Sequence, residues 1–237
     1  MVPSMIRENL ARVREEIADS ASLARRNPDE ITLIGVSKTQ PAEAIREAFD
    51  AGLRHFGENR VQEWEGKRDS VADLAGATWH LIGHLQSNKA AKAVKLFHAI
   101  DAVDDFALAQ RLARATSESS PAARLRVLIE VHLGGEETKS GVSEAALPEL
   151  AEKVKGLAEL ELAGLMCIPP YLPDAEQVRP YFARLRELRN QTEARLGQAL
   201  PVLSMGMSHD FAAAILEAAT EVRIGTAIFG ARSVVAK

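Results

Sequence analysis

Lys38 ends the apolar run Ile31-Thr32-Leu33-Ile34-Gly35-Val36-Ser37-Lys38, which reads as a buried β-strand. It shares side-chain parity with Ile34 and Val36, so its stem follows them inward and lifts an amine to the C-terminal end of the strand. An interior lysine needs either a counter-charge or a task. One reading pairs it with Glu58 on a neighbouring strand; the other makes it a partly desolvated amine able to condense with an aldehyde. The residues alone leave both open.

Two later loops have the makings of a phosphate cradle. Ser204-Met205-Gly206-Met207-Ser208 and Arg223-Ile224-Gly225-Thr226 offer hydroxyls, backbone donors and unhindered approach at glycine. Either loop alone is ordinary turn chemistry. A lysine next to such a cradle is what an aldehyde-bearing phosphorylated cofactor requires, and pyridoxal 5′-phosphate fits that chemistry. Asn59 and His84 also fall at the ends of apolar runs, with Lys139 just beyond another. His84 has the alternative of a satisfied loop histidine, Met166 that of core packing, and Lys139 that of a solvated loop lysine. His80 and His84 stand four apart, but in a run that reads as a strand and without an HExxH motif, so no metal site is expected.

The elements that must position these residues alternate between strand and helix. Short β-rich runs begin at Ile31, Arg54, Thr78, His98, Arg124, Leu160, Pro201 and Glu221, the last read as EVRIGTAIFG, with helical stretches between them. Several runs are nearly continuous in apolar residues, as parallel strands buried on both faces are. The first ends Ser37-Lys38-Thr39-Gln40-Pro41, not in a glycine-rich dinucleotide turn, so a (β/α)₈ barrel is expected over a doubly wound sheet. Such barrels carry their sites at the C-terminal ends of the strands. An amphipathic helix from Ile6 to Leu23 precedes the repeat and would pack on its own barrel or on a partner.

The 237 residues suit one barrel domain, expected to span residues 1–237. Net charge is -4, which favours neither a nucleic-acid backbone nor an anionic membrane as partner, and Lys89, Lys92 and Lys95 read as an exposed helix face. Cys167 is the only cysteine, which excludes an internal disulfide framework. With no long apolar window and a charged start, a cytoplasmic location is expected.

The runs GVSKTQP, HFGENRVQE, WHLIGHLQSNK, ETKSGV, LSMGMSHD and VRIGTAIFG resemble those of the pyridoxal phosphate homeostasis protein family, in the same order and across nearly the whole chain. The resemblance implies a barrel like the N-terminal domain of alanine racemase, of the fold-type III class, holding pyridoxal 5′-phosphate as an internal aldimine on Lys38. It further implies Ser204, Gly225 and Thr226 as phosphate ligands, Arg223 facing the pyridine nitrogen, Asn59 beside the ring, and His84, Gln86 and Met166 lining the mouth. Arg60 and Ala218 depart from the family pattern without touching Lys38 or the phosphate loops.

Three functions follow as alternatives. The resemblance implies a non-catalytic carrier serving vitamin B6 homeostasis, passing cofactor to apoenzymes, as a monomer or weak dimer. A racemase-like enzyme would need an acid/base on the cofactor face opposite Lys38, for which Tyr171 is the tyrosine nearest the mouth. A barrel acting on a phosphorylated metabolite would carry no chromophore.

Overall fold

The structure, a computed structural model, describes residues 5–119, 122–134 and 140–230. Eight parallel strands close into a barrel in sequence order, β8 pairing with β1. They are β1 Thr32–Val36, β2 His55–Glu58, β3 Thr78–Leu81, β4 Ala99–Val103, β5 Leu125–Glu130, β6 Leu160–Met166, β7 Val202–Met207 and β8 Glu221–Ile224. Each run expected to be a strand contains one. The last run is the exception in extent: the strand stops at Ile224, and Thr226–Phe229 turns into a single helical turn.

The helices outside the barrel are α1 Met5–Leu23, α2 Ala42–Asp50, α3 Val61–Lys67, α4 Ala90–Leu96, α5 Phe106–Ser119, α6 Leu147–Lys155, α7 Arg179–Leu196, α8 Phe211–Leu216 and α9 Thr226–Phe229. Being one turn long, α9 is too short to shield the β8–β1 seam. The opening helix does so instead, laying the buried Leu10, Val13, Ile17 and Ala21 against α8, α9 and α2. Polar ties fix it at both ends: Asn9 donates to the Ile228 carbonyl at 3.0 Å, and Arg26, just past α1, donates to the Ala219 carbonyl at 2.8 Å. Of the two packings open to α1, the structure has the one on its own barrel.

Inside the barrel, Ala102, Leu128, Ala163 and Met166 form a small apolar layer. Nearer the N-terminal ends of the strands the filling is charged. Arg126 bonds Glu221 at 2.5 Å and lies 3.6 Å from Asp101; Asp101 pairs with His80 at 2.9 Å, and His80 with His55 at 3.1 Å. Burial, then the charges of His80 and Arg126, press the His55 imidazole down to about 4. His80, Asp101 and Glu221 stand close enough to share a metal ion. The guanidinium of Arg126 already brings a cation to that cluster, bonding Glu221 and reaching to within 3.4 Å of His80.

The strands pack too closely in one place for any side chain: a Cβ on Gly164 would fall 1.9 Å from the Val202 carbonyl oxygen. Gly164→Ala should therefore prise β6 from β7 and cost about 3 kcal/mol or more, read as a lower denaturation midpoint, because the obstacle is backbone and cannot turn aside. A midpoint unchanged from wild type would contradict this packing.

Candidate functional site

A cavity of about 590 Å³ opens at the C-terminal ends of the strands, bordered by Lys38, Asn59, His84, Arg223, Gly225 and Thr226. Six of the nine residues expected at the site therefore meet on one wall system. Gln86, Met166 and Ser204 do not; Gln86 faces a neighbouring pocket beside Arg60 and Lys89. Met166 is wholly buried in the apolar layer of the barrel, the packing role that its residue type favours. Ser204 is also wholly buried, and its hydroxyl accepts from Arg223 at 2.8 Å. Lys139 lies outside the described residues.

Lys38 leaves β1 at a turn that the chain supports heavily. Thr39, next in sequence, adopts φ of 64°, a left-handed conformation that a branched residue holds only when its surroundings impose it. Those surroundings come from α3. Glu63 accepts from the Thr39 backbone N–H, and Lys67 reaches the Ser37 carbonyl at 2.8 Å and Glu58 at 2.8 Å. Ser37 in turn donates to Glu58 at 2.6 Å. Burial pushes the Glu58 carboxyl up, against the pull of Lys67 and Ser37. Glu58, considered as the counter-charge of Lys38, is thus engaged by Lys67 and Ser37. A neighbouring loop is held by close approach: a Cβ on Gly83 would lie 2.6 Å from the Asn59 carbonyl oxygen, so the turns after β2 and β3 nest together only with glycine there.

The opposite support is Arg223, 3% exposed and bonded to the Ser204 hydroxyl and the Cys167 carbonyl, each at 2.8 Å. Between Ser204 and Met207 the β7–β8 register shifts, with Gly206 at φ of 93°. That bulge turns the next residues toward the cavity. As a result Ser204 faces the barrel interior and Ser208 reaches the cavity wall, where its hydroxyl accepts from the Gly225 and Ala227 N–H groups at 3.2 and 3.3 Å. The resemblance implies Ser204 as the phosphate ligand of this loop, whereas the serine of the loop that borders the cavity is Ser208.

Further groups at the cavity went unmarked in the sequence. Glu130, the last residue of β5, lines it, and burial followed by the nearby charge of Asp104 raises its carboxyl to about 7. Asp104 itself lies 3.3 Å from His84, so His84 both borders the cavity and has an acidic neighbour. Cys167 is wholly buried and burial pushes its thiol up to about 12, which leaves it unreactive as a nucleophile. Tyr171 overhangs the cavity with its ring 5.2 Å from that of His209 and is 74% exposed.

The family model for the alanine racemase N-terminal domain matches residues 6–233. The pyridoxal phosphate homeostasis protein of Pseudomonas aeruginosa is 49% identical over 233 residues, covering 97% of this chain and 96% of the relative. That of Aquifex aeolicus is 46% identical over 225 residues, covering 95% and 97%. Among solved structures, PipY of Synechococcus elongatus, determined with PLP bound, aligns with a TM-score of 0.80 at 42% identity, covering 90% of this chain and all of PipY. A barrel closed in the order of its strands, a lysine at the end of the first of them and this similarity over nearly full length lead to one conclusion: the chain belongs to the pyridoxal phosphate homeostasis proteins, within the alanine racemase N-terminal domain family.

Proposed function

We propose that this protein binds pyridoxal 5′-phosphate reversibly in the cavity above the barrel, linked to Lys38 as a Schiff base, and serves vitamin B6 homeostasis by holding cofactor and passing it to apoenzymes. The observation that carries the reading is the meeting of the Lys38 amine with the Ser208, Gly225 and Thr226 cradle in one cavity. The cofactor supplies an aldehyde that a primary amine captures reversibly. Ser208, Gly225 and Thr226 hold its phosphate through hydroxyl and backbone donors. Arg223, a permanent cation pinned by Ser204 and the Cys167 carbonyl, opposes protonation of the ring nitrogen and so weakens the ring as an electron sink. Asn59 and His84 border the ring, Ser204 positions Arg223, and Met166 fills the barrel beneath.

The carrier reading takes precedence over a racemase-like enzyme because the tyrosine at the mouth is poorly held. Tyr171 stands largely in solvent, and among the described residues none bonds its hydroxyl to fix it for proton transfer. We further propose one barrel domain throughout, a cytoplasmic location, and a monomer or weak dimer with no nucleic-acid or membrane partner. Among the described residues, no helix is long and apolar enough to cross a membrane.

The reading is tested by mixing the protein with pyridoxal 5′-phosphate, desalting, and recording the absorption spectrum before and after borohydride. Wild type should show a Schiff-base band that borohydride fixes, and Lys38→Ala should lose both; an undiminished borohydride adduct in Lys38→Ala would sink the assignment. Removing the cradle hydroxyl with Ser208→Ala should weaken binding about tenfold, on the order of 1.4 kcal/mol, measured by equilibrium titration. Unchanged affinity would leave Ser208 a turn residue only.

A further inference from the structure

We propose that Glu130 is a ligand-contacting carboxyl that holds a proton when the cavity is filled, so that binding a phosphorylated ligand draws a proton from solvent. This rests on the reading of the cavity as a cofactor site. Glu130 ends β5, and in a closed ring of eight strands β5 lies across from β1. Its carboxyl therefore enters the cavity from the wall opposite Lys38. It is 5% exposed; its backbone carbonyl accepts from the Val142 N–H at 2.8 Å, while among the described residues no hydrogen bond or ion pair ends on its carboxyl group. With no partner among the described residues, a carboxyl that lines a cavity and is otherwise shielded from bulk solvent is placed to bond what the cavity binds.

The ionisable groups turned toward Glu130 are Asp104 beyond β4, Arg223 in β8, His84 beyond β3 and Cys167 beyond β6. Among the described residues, Lys38, Tyr171 and His209 complete the titratable lining. Burial and then Asp104 raise Glu130 to about 7, while Arg223 and His84 pull the other way, so the empty cavity holds both protonated and ionised forms near neutrality. A phosphorylated ligand adds negative charge to the same poorly solvated space and favours the protonated form. Only that form can donate a hydrogen bond to a ligand acceptor. The carboxyl therefore titrates higher in the filled cavity than in the empty one. Affinity is then complete below the empty-cavity value of about 7 and is lost as pH rises above it, by at most about tenfold per pH unit for one proton.

The test is calorimetric titration of wild type and Glu130→Gln between about pH 6 and pH 8.5, in buffers of different ionisation enthalpy. Two ligands are used: pyridoxal 5′-phosphate, and pyridoxamine 5′-phosphate, which has no aldehyde and so reports on the cavity without Lys38 chemistry. Wild type should take up more protons per ligand than Glu130→Gln, with both ligands, and lose about tenfold more affinity across the range. The glutamine variant, whose amide donates at every pH, should stay within about threefold of wild type at the acid end. As a second variant, Asp104→Asn removes the neighbouring negative charge and should move the wild-type loss of affinity to lower pH. Equal proton uptake and parallel profiles in wild type and Glu130→Gln, or a shift to higher pH in Asp104→Asn, would overturn the proposal and leave the cofactor reading intact. Failure of wild type to bind either ligand would overturn the cofactor reading, and this proposal with it.

Discussion

A guanidinium cannot shed its charge, and Arg223 carries one into the barrel with 3% of its surface exposed. Burying such a charge is costly unless its donors are met, and the chain meets them with the Ser204 hydroxyl and the Cys167 carbonyl. The tuning of the surrounding groups depends on that fixed positive point. Burial opposes ionisation of Asp101, yet His80, Arg126 and Arg223 together hold its carboxyl below the usual range. Burial also raises Glu130 and Asp210, and in both cases Arg223 limits the rise. One residue on β8 thus joins the charged filling of the lower barrel to the cavity above it.

Position at the other side of the cavity is obtained differently, through backbone rather than charge. The left-handed Thr39 is a conformation that the chain would abandon without support, and α3 provides it through Glu63 and Lys67. The lysine itself needs no special conformation; the residue after it carries the strain. Rigid support beneath and a strained turn at the rim are what hold an amine at a fixed place above a barrel.

The strands were legible because parallel strands buried on both faces leave near-continuous apolar runs, and parity along the first run put Lys38 at the cavity. The helix α3 was not legible: seven residues, Val61-Gln62-Glu63-Trp64-Glu65-Gly66-Lys67, bury only Val61 and Trp64 and carry too little apolar periodicity to stand out. The choice between Ser204 and Ser208 turned on a register shift at Gly206, which sequence spacing does not encode beyond the presence of glycine. Glu130 left one usable trace. It shares parity with Arg126 and Leu128 in the run Arg124 to His132, so an inward-facing carboxyl at a strand end could have been inferred there as it was for Lys38.

The sealing of the β8–β1 seam by α1 also bears on how the molecule is made. Asn9 and the Ile228 carbonyl it bonds are 219 residues apart in sequence. At ordinary ribosomal speed the opening helix waits about 10 to 40 seconds for the strand and turn that will cover its apolar stripe. During that interval Leu10, Val13 and Ile17 have no native partner from α8 or α9, and transiently exposed apolar surface of this kind is what makes a nascent chain prone to aggregate. The barrel closes last where it begins, so synthesis from one end cannot be matched by folding from the same end.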